Sequence, residues 1–146
     1  GVLLLCLIHL SSKINRENGV VVLEKNSYFL KFDDFTWSRV EKEDFKPSNE
    51  GDMDFSETTV QHIVENGLKT CFHLDYYECT MSGFTSLEKM GEAHVVIIVR
   101  GEGKVIVNDA EYAVKPMDVI IIPKDATHQF ISTDDEPFGF FCIINA

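Results

Sequence analysis

Basic residues are scarce in this chain. Thirteen Lys and Arg stand against 24 Asp and Glu, a formal net charge of -11. A nucleic-acid partner is excluded, because phosphate neutralisation needs a basic footprint. Docking on anionic lipid is excluded for the same reason. Long apolar runs are missing too. Residues 2–10 are apolar but far too few to cross a bilayer, and they show neither the basic n-region nor the cleavage site of a secretory signal. Cysteine is sparse and unpatterned, at positions 6, 71, 79 and 142 with no CxxC pair. That argues against a disulfide framework or a thiolate metal site, and for reduced thiols in a cytoplasmic protein. No P-loop, Rossmann glycine pattern or G-x-S-x-G elbow occurs. Helical periodicity is nearly absent, and no repeat or low-complexity tract is seen.

What is present is strand. Hydrophobic residues make up 45% of the chain, enough to exclude a compositionally disordered protein, and 11 Phe favour a β-rich core. Short β-branched runs are separated by Gly, Asn-Asp and Pro-containing turns. They predict strands near 59–64, 71–80, 94–100, 103–108, 111–114, 118–122, 128–132 and 138–144, the pattern of an all-β sandwich or barrel. Residues 1–57 read as an N-terminal arm with short strands. Residues 2–10 and 20–24 are expected to pair through the Asn18-Gly19 turn. Residues 33–56 are expected to be irregular, with Phe35, Trp37 and Phe45 stapling the arm to the barrel or to a partner. The acidic runs Glu41-Lys42-Glu43-Asp44 and Asp134-Asp135-Glu136 are expected as exposed loops.

Two stretches carry chemistry. In residues 87–94, an extended chain places Glu88, Met90, Glu92 and His94 on one face, since alternate residues of a strand share a side. Gly91 threatens that parity with a bulge, which puts Glu92 in doubt. Val96 and Ile98 continue the same face into the core. The second stretch ends Pro123-Lys124-Asp125-Ala126-Thr127-His128, a turn that brings an imidazole to a strand start. Imidazole plus carboxylate suits Mn, Fe, Ni or Zn. The Gly101-Glu102-Gly103 segment reads as a hairpin turn.

These stretches, with the Gly-Glu-Gly turn after the first and the Pro-x-x-x-x-His of the second, resemble the two signature motifs of the cupin superfamily. Residues 58–146 are similar to small single-domain cupins with a four-histidine manganese site. The resemblance implies a jelly-roll β-barrel. It puts Glu88, Met90, His94 and His128 at the ligand places, only two of them His. Met90 is a soft thioether and a poor ligand for a hard ion. The resemblance also implies a cavity lined by His73, Asp75, Tyr77, Phe140 and Cys142, with Thr85 and Phe130 as weaker candidates. His9 and His62 read as structural.

The expected function is a divalent metal held by Glu88, His94 and His128, acting on a small organic molecule. Dioxygenase-like oxidation comes first, isomerase or lyase chemistry second. The alternative is a degenerate, metal-free cupin that binds or senses a small ligand. A homodimer is expected in either case.

Overall fold

The computed structural model describes residues 16–17, 20–22, 28–47, 54–65 and 71–145. In chain order the strands are β1 (Arg16–Glu17), β2 (Val20–Val22), β3 (Tyr28–Phe29), β4 (Phe32–Asp33), β5 (Thr36–Trp37), β6 (Lys42–Asp44), β7 (Ser56–Val64), β8 (Phe72–Phe84), β9 (Glu88–Lys89), β10 (His94–Arg100), β11 (Gly103–Val107), β12 (Ala110–Val114), β13 (Val119–Ile122), β14 (Thr127–Ser132) and β15 (Phe138–Asn145). The described residues contain no helix, and so none long and apolar enough to cross a membrane.

The principal sheet runs β12-β11-β14-β8-β15-β10-β13, with β7 added to β8, β6 to β7 and β9 to β14. It curls into an all-β jelly-roll barrel because β8 serves both wings. Residues 72–79 of β8 pair with β15, while Phe84 pairs with Ile131 of β14. Between them Met81 and Ser82 have φ of 51° and 60°, a local bend that turns one strand across two wings. Alternation then selects the core. Cys79, Val96, Ile98, Val105, Ile122, Phe130, Phe138 and Phe140 are buried together inside. Burying a side chain of the Val, Ile or Phe class contributes about 1.5–3 kcal/mol.

The other face of β7 and β8 is covered by the arm. The β4–β5 hairpin lays Phe35 and Trp37 against Tyr76, with ring centroids 5.9 and 5.1 Å away, and Trp37 reaches Phe141 at 5.5 Å. Gln61 Nε2 donates to the Phe35 carbonyl at 2.9 Å. Arg100 sits 4.3 Å over the Phe35 ring and pairs with Glu78 at 2.9 Å, and Glu78 also accepts from the Tyr76 hydroxyl at 2.7 Å. Phe45 packs on the inner side, 6.2 Å from Tyr77.

Five expectations change. The arm is less irregular than its composition suggests, since β4 pairs with β5, and Lys42–Asp44 of the acidic run is a strand paired with β7. Cross-strand pairing overrides a weak local pattern there. The run 87–94 is not one strand: β9 stops at Lys89 and β10 starts at His94. The Asp125 N–H donates to the Met90 carbonyl at 2.9 Å, so the break is held by the second signature stretch. Gly101-Glu102-Gly103 is a corner and not a hairpin. β10 pairs with β13 and β15, β11 with β12 and β14. Gly101 has φ +65°, and a Cβ there would strike the Pro137 carbonyl. Cys79 and Cys142 are free, but Cys71 is disulfide-bonded, so the expectation of reduced thiols throughout is corrected. Sequence spacing alone does not reveal such a link. Residues 2–10, expected to pair with 20–24, lie outside the described residues; β2 pairs with β1 and with β3.

Candidate active site

A cavity of about 120 Å³ lies inside the barrel, lined from β8, β10, β14 and β15. Two strand pairings and the start of β10 assemble its polar wall. Glu88 of β9 stands directly opposite His128 of β14. His94 begins β10 and faces the same interior as Val96 and Ile98. Its ring lies 5.4 Å from that of His128, nearly perpendicular at 81°. Asp75 and Tyr77 of β8 stand opposite Cys142 and Phe140 of β15, and all four line the cavity. Phe130 stacks on Phe140 with centroids 4.1 Å apart and forms the apolar floor with Val96 and Ile122.

Burial sets the charge states. His94 is pushed down to about 4 by burial, then by the neighbouring His128, against the opposing pull of Glu88 and Glu92. His128 is also lowered by burial, against the Ala126 carbonyl and Glu88. Both rings are therefore neutral at pH 7. His128 Nδ1 lies 3.1 Å from the Ala126 carbonyl. A carbonyl only accepts, so Nδ1 carries the proton and Nε2 keeps its lone pair. Glu88 is 7% exposed and its Oε1 accepts from Ser86 Oγ at 2.6 Å. Tyr77 is raised by burial, then by Asp75, Cys142 and Glu88, so it stays a phenol and a donor. Cys142 is pushed up to about 12 by burial and then by Asp75. It is a thiol here and no nucleophile.

A Cupin domain model matches residues 89–144, which contain β10 to β14 and both histidines. The 1-methylthio-D-xylulose 5-phosphate methylsulfurylase of Rhodospirillum rubrum is 36% identical over 113 residues, 77% of this chain and 70% of that protein. The chain belongs to the cupin superfamily. A crystal structure of a cupin-2 domain from the same organism superposes on this cupin with a TM-score of 0.67 at 35% identity, covering 81% of this chain and 78% of the other. The glucose-6-phosphate isomerase of Pyrococcus horikoshii is 27% identical over 94% of this chain and 79% of that protein.

Within the cupin cavity the structure gathers Glu88, Met90, His94 and His128 with Asp75, Tyr77, Phe140 and Cys142; Thr85 and Phe130 join them. His73 is not among the lining residues, and Ile144, opposite it in register, is. Glu92 is exposed in the break before β10 and does not line the cavity. Sequence reasoning missed Lys46, which also lines the cavity. Its place follows from the arm: the Phe45 N–H donates to the Thr58 carbonyl at 3.0 Å, extending the pairing of β6 with β7. No local signal marks that contact.

The donor set suits a divalent transition metal in kind: two neutral imidazoles, one with its proton committed to a carbonyl, and a buried carboxylate. Among the described residues, however, no three His, Cys, Asp or Glu side chains form a cluster able to hold a metal ion as placed. An ion entering the cavity must therefore draw the donors together.

Proposed function

We propose that this cupin is an enzyme that holds one divalent transition metal ion (Mn, Fe, Ni or Zn) through Glu88, His94 and His128. Its substrate is a small phosphorylated sugar or a similar polyhydroxy carbonyl compound, and its chemistry is proton transfer of the isomerase or lyase type. The observation that carries the reading is the placing of two neutral, buried imidazoles beside the buried Glu88 carboxylate in a cavity whose lining also includes Asp75, Tyr77 and Lys46. The substrate class is supported by the two relatives named for sugar phosphates. For that reason proton transfer now ranks above the oxidation first expected from sequence.

A bound ion supplies Lewis-acid polarisation of a carbonyl, which acidifies the neighbouring C–H. The chain supplies the rest. Tyr77, held protonated, donates to a substrate oxygen. Lys46 is the cation of the lining and meets an anionic group of the substrate. Phe130 and Phe140 exclude water from the floor, which strengthens polar contacts inside. Metal analysis after reconstitution at neutral pH tests the first half, with one equivalent expected and none overturning it. Proton NMR of xylulose 5-phosphate and glucose 6-phosphate in D2O tests the second. Loss of the C–H signal next to the carbonyl is expected, and unchanged spectra with the metal-loaded protein overturn it.

The competing reading is a metal-free binding module. It is favoured by Met90 in the cavity wall and by the lack of a ready three-donor cluster among the described residues. Its signature is tight binding of a sugar phosphate by chelator-treated protein, with no thermal shift on adding metal.

A further inference from the structure

On the inner face of the sheet, one row of polar side chains crosses three strands from solvent to cavity. Asp75 lines the cavity from β8. His62 stands opposite it on β7, with Nδ1 2.8 Å from Asp75 Oδ1. Its other nitrogen, Nε2, is 3.4 Å from Glu43 Oε2 on β6. Exposure grades along the row, with side chains 15% accessible at Asp75, 42% at His62 and 45% at Glu43. A structural histidine that merely fills space has no need of both ring nitrogens facing carboxylates, one of them in a cavity wall.

We infer that Asp75 is the proton-handling carboxylate of the cavity, and that His62, bracketed by Glu43, is the relay connecting it to bulk water. This rests on the proton-transfer chemistry proposed above. A proton from water adds to Nε2 beside Glu43 and makes the ring an imidazolium. The Nδ1 proton then passes to Asp75 Oδ1. The ring is left neutral with its proton on Nε2, and the cavity holds a protonated carboxyl ready to donate. Run backwards, the same steps carry a substrate proton out. No oxidant or co-reactant is needed.

The surroundings suit the task. His62 is disfavoured as a cation by burial, but Asp75, Glu43 and Glu65 outweigh this and leave it raised above 6.5. Asp75 acts on Tyr77 of its own strand and on Cys142 opposite on β15, both held neutral by burial at pH 7, shares the cavity lining with Lys46 and Glu88, and has His73 two residues before it on β8. The ring is the titratable group that bonds the Asp75 carboxylate directly. His62 acts through Asp75 and is a positioning and relay residue.

Two measurements test this on the full chain. The first is a nitrogen-15 NMR titration of the His62 ring, which needs no substrate. Asp75→Asn should lower its pKa by roughly one unit, and Glu43→Gln by less. An unmoved value in Asp75→Asn overturns the coupling. The second is deuterium exchange into xylulose 5-phosphate. Asp75→Asn should lose at least 100-fold, a size typical of a general acid–base group. His62→Asn should lose about 10-fold and recover when imidazole is added to the buffer. Retained exchange in Asp75→Asn, or a His62→Asn loss that imidazole does not restore, overturns the role. If the wild-type protein exchanges nothing on any sugar phosphate, the function proposed above fails, and the titration still decides whether the pair is coupled.

Discussion

At the scale of single residues, Met90 and Met117 each occupy a place with another residue's demands. Met90 lines the cavity with both imidazoles and Glu88. Its thioether is soft and adds little for Mn or Fe. Met90→His should therefore raise Mn affinity at least tenfold, about 1.4 kcal/mol, by isothermal titration. Unchanged affinity would place residue 90 outside the ligand sphere. Met117 has φ 77° and is 78% exposed. Its N–H donates to the Ile98 carbonyl at 2.7 Å, so the turn is held from outside while the side chain buries little. A non-glycine residue held there costs about 1–3 kcal/mol. Glycine returns roughly 0.5–1 kcal/mol as extra freedom in the unfolded chain. The difference favours glycine, so Met117→Gly should stabilise the fold by about 1 kcal/mol in urea melts. Gly139 is the opposite case. A Cβ there would strike the Tyr76 hydroxyl, the group that donates to Glu78, so Gly139→Ala should cost about 1–3 kcal/mol by overpacking.

At the scale of elements, most strands were legible because alternation and β-branching are local signals. The expected strand at 94–100 coincides with β10, and Val96 and Ile98 are fully buried as the parity requires. What parity could not supply was the break at 90–93, because the bond that holds it comes from Asp125, more than 30 residues on. The two partners of His62 were not legible for a similar reason: they lie on β6 and β8 and are set by register, which no single strand encodes. The two classes of histidine also pull stability in opposite directions with pH. His94 is depressed in the fold, so the unfolded chain binds more protons below 6.5. Its contribution is present above 6.5 and fades as pH falls towards 4. His62 is raised, so its contribution is full below 6.5 and fades as pH climbs through its folded value. Chelator-treated protein should thus lose Tm from pH 6.5 to 4.5. His94→Gln should flatten that slope, whereas His62→Gln should leave it as it is and flatten instead the fall of Tm above pH 6.5. The same slope in wild type and His94→Gln would show that this ring does not govern acid stability.

At the scale of the molecule, the barrel's end strands pose the last question. β12 and β13 close the two ends of the principal sheet. Between them lies a groove edged by Tyr112, Val119 and Ile121, which are 55%, 59% and 70% exposed. Side chains of this size in one patch are costly to leave in water, and an edge strand invites pairing. The homodimer expected from sequence is proposed to bury this wall. Two chains of net charge -11 repel one another, so apolar burial has to overcome a long-range electrostatic cost. That cost falls with salt, as the screening length shrinks from about 10 Å at 0.1 M to about 3 Å at 1 M. Association should therefore tighten with added salt, the reverse of an interface built on ion pairs. Light scattering should give a dimer at moderate salt, and Val119→Asp with Ile121→Asp should give a monomer that still takes up metal, since neither residue lines the cavity. A wild-type monomer at every salt concentration would leave the wall to some other partner, and a dimer that the double substitution does not weaken would place the contact elsewhere on the barrel.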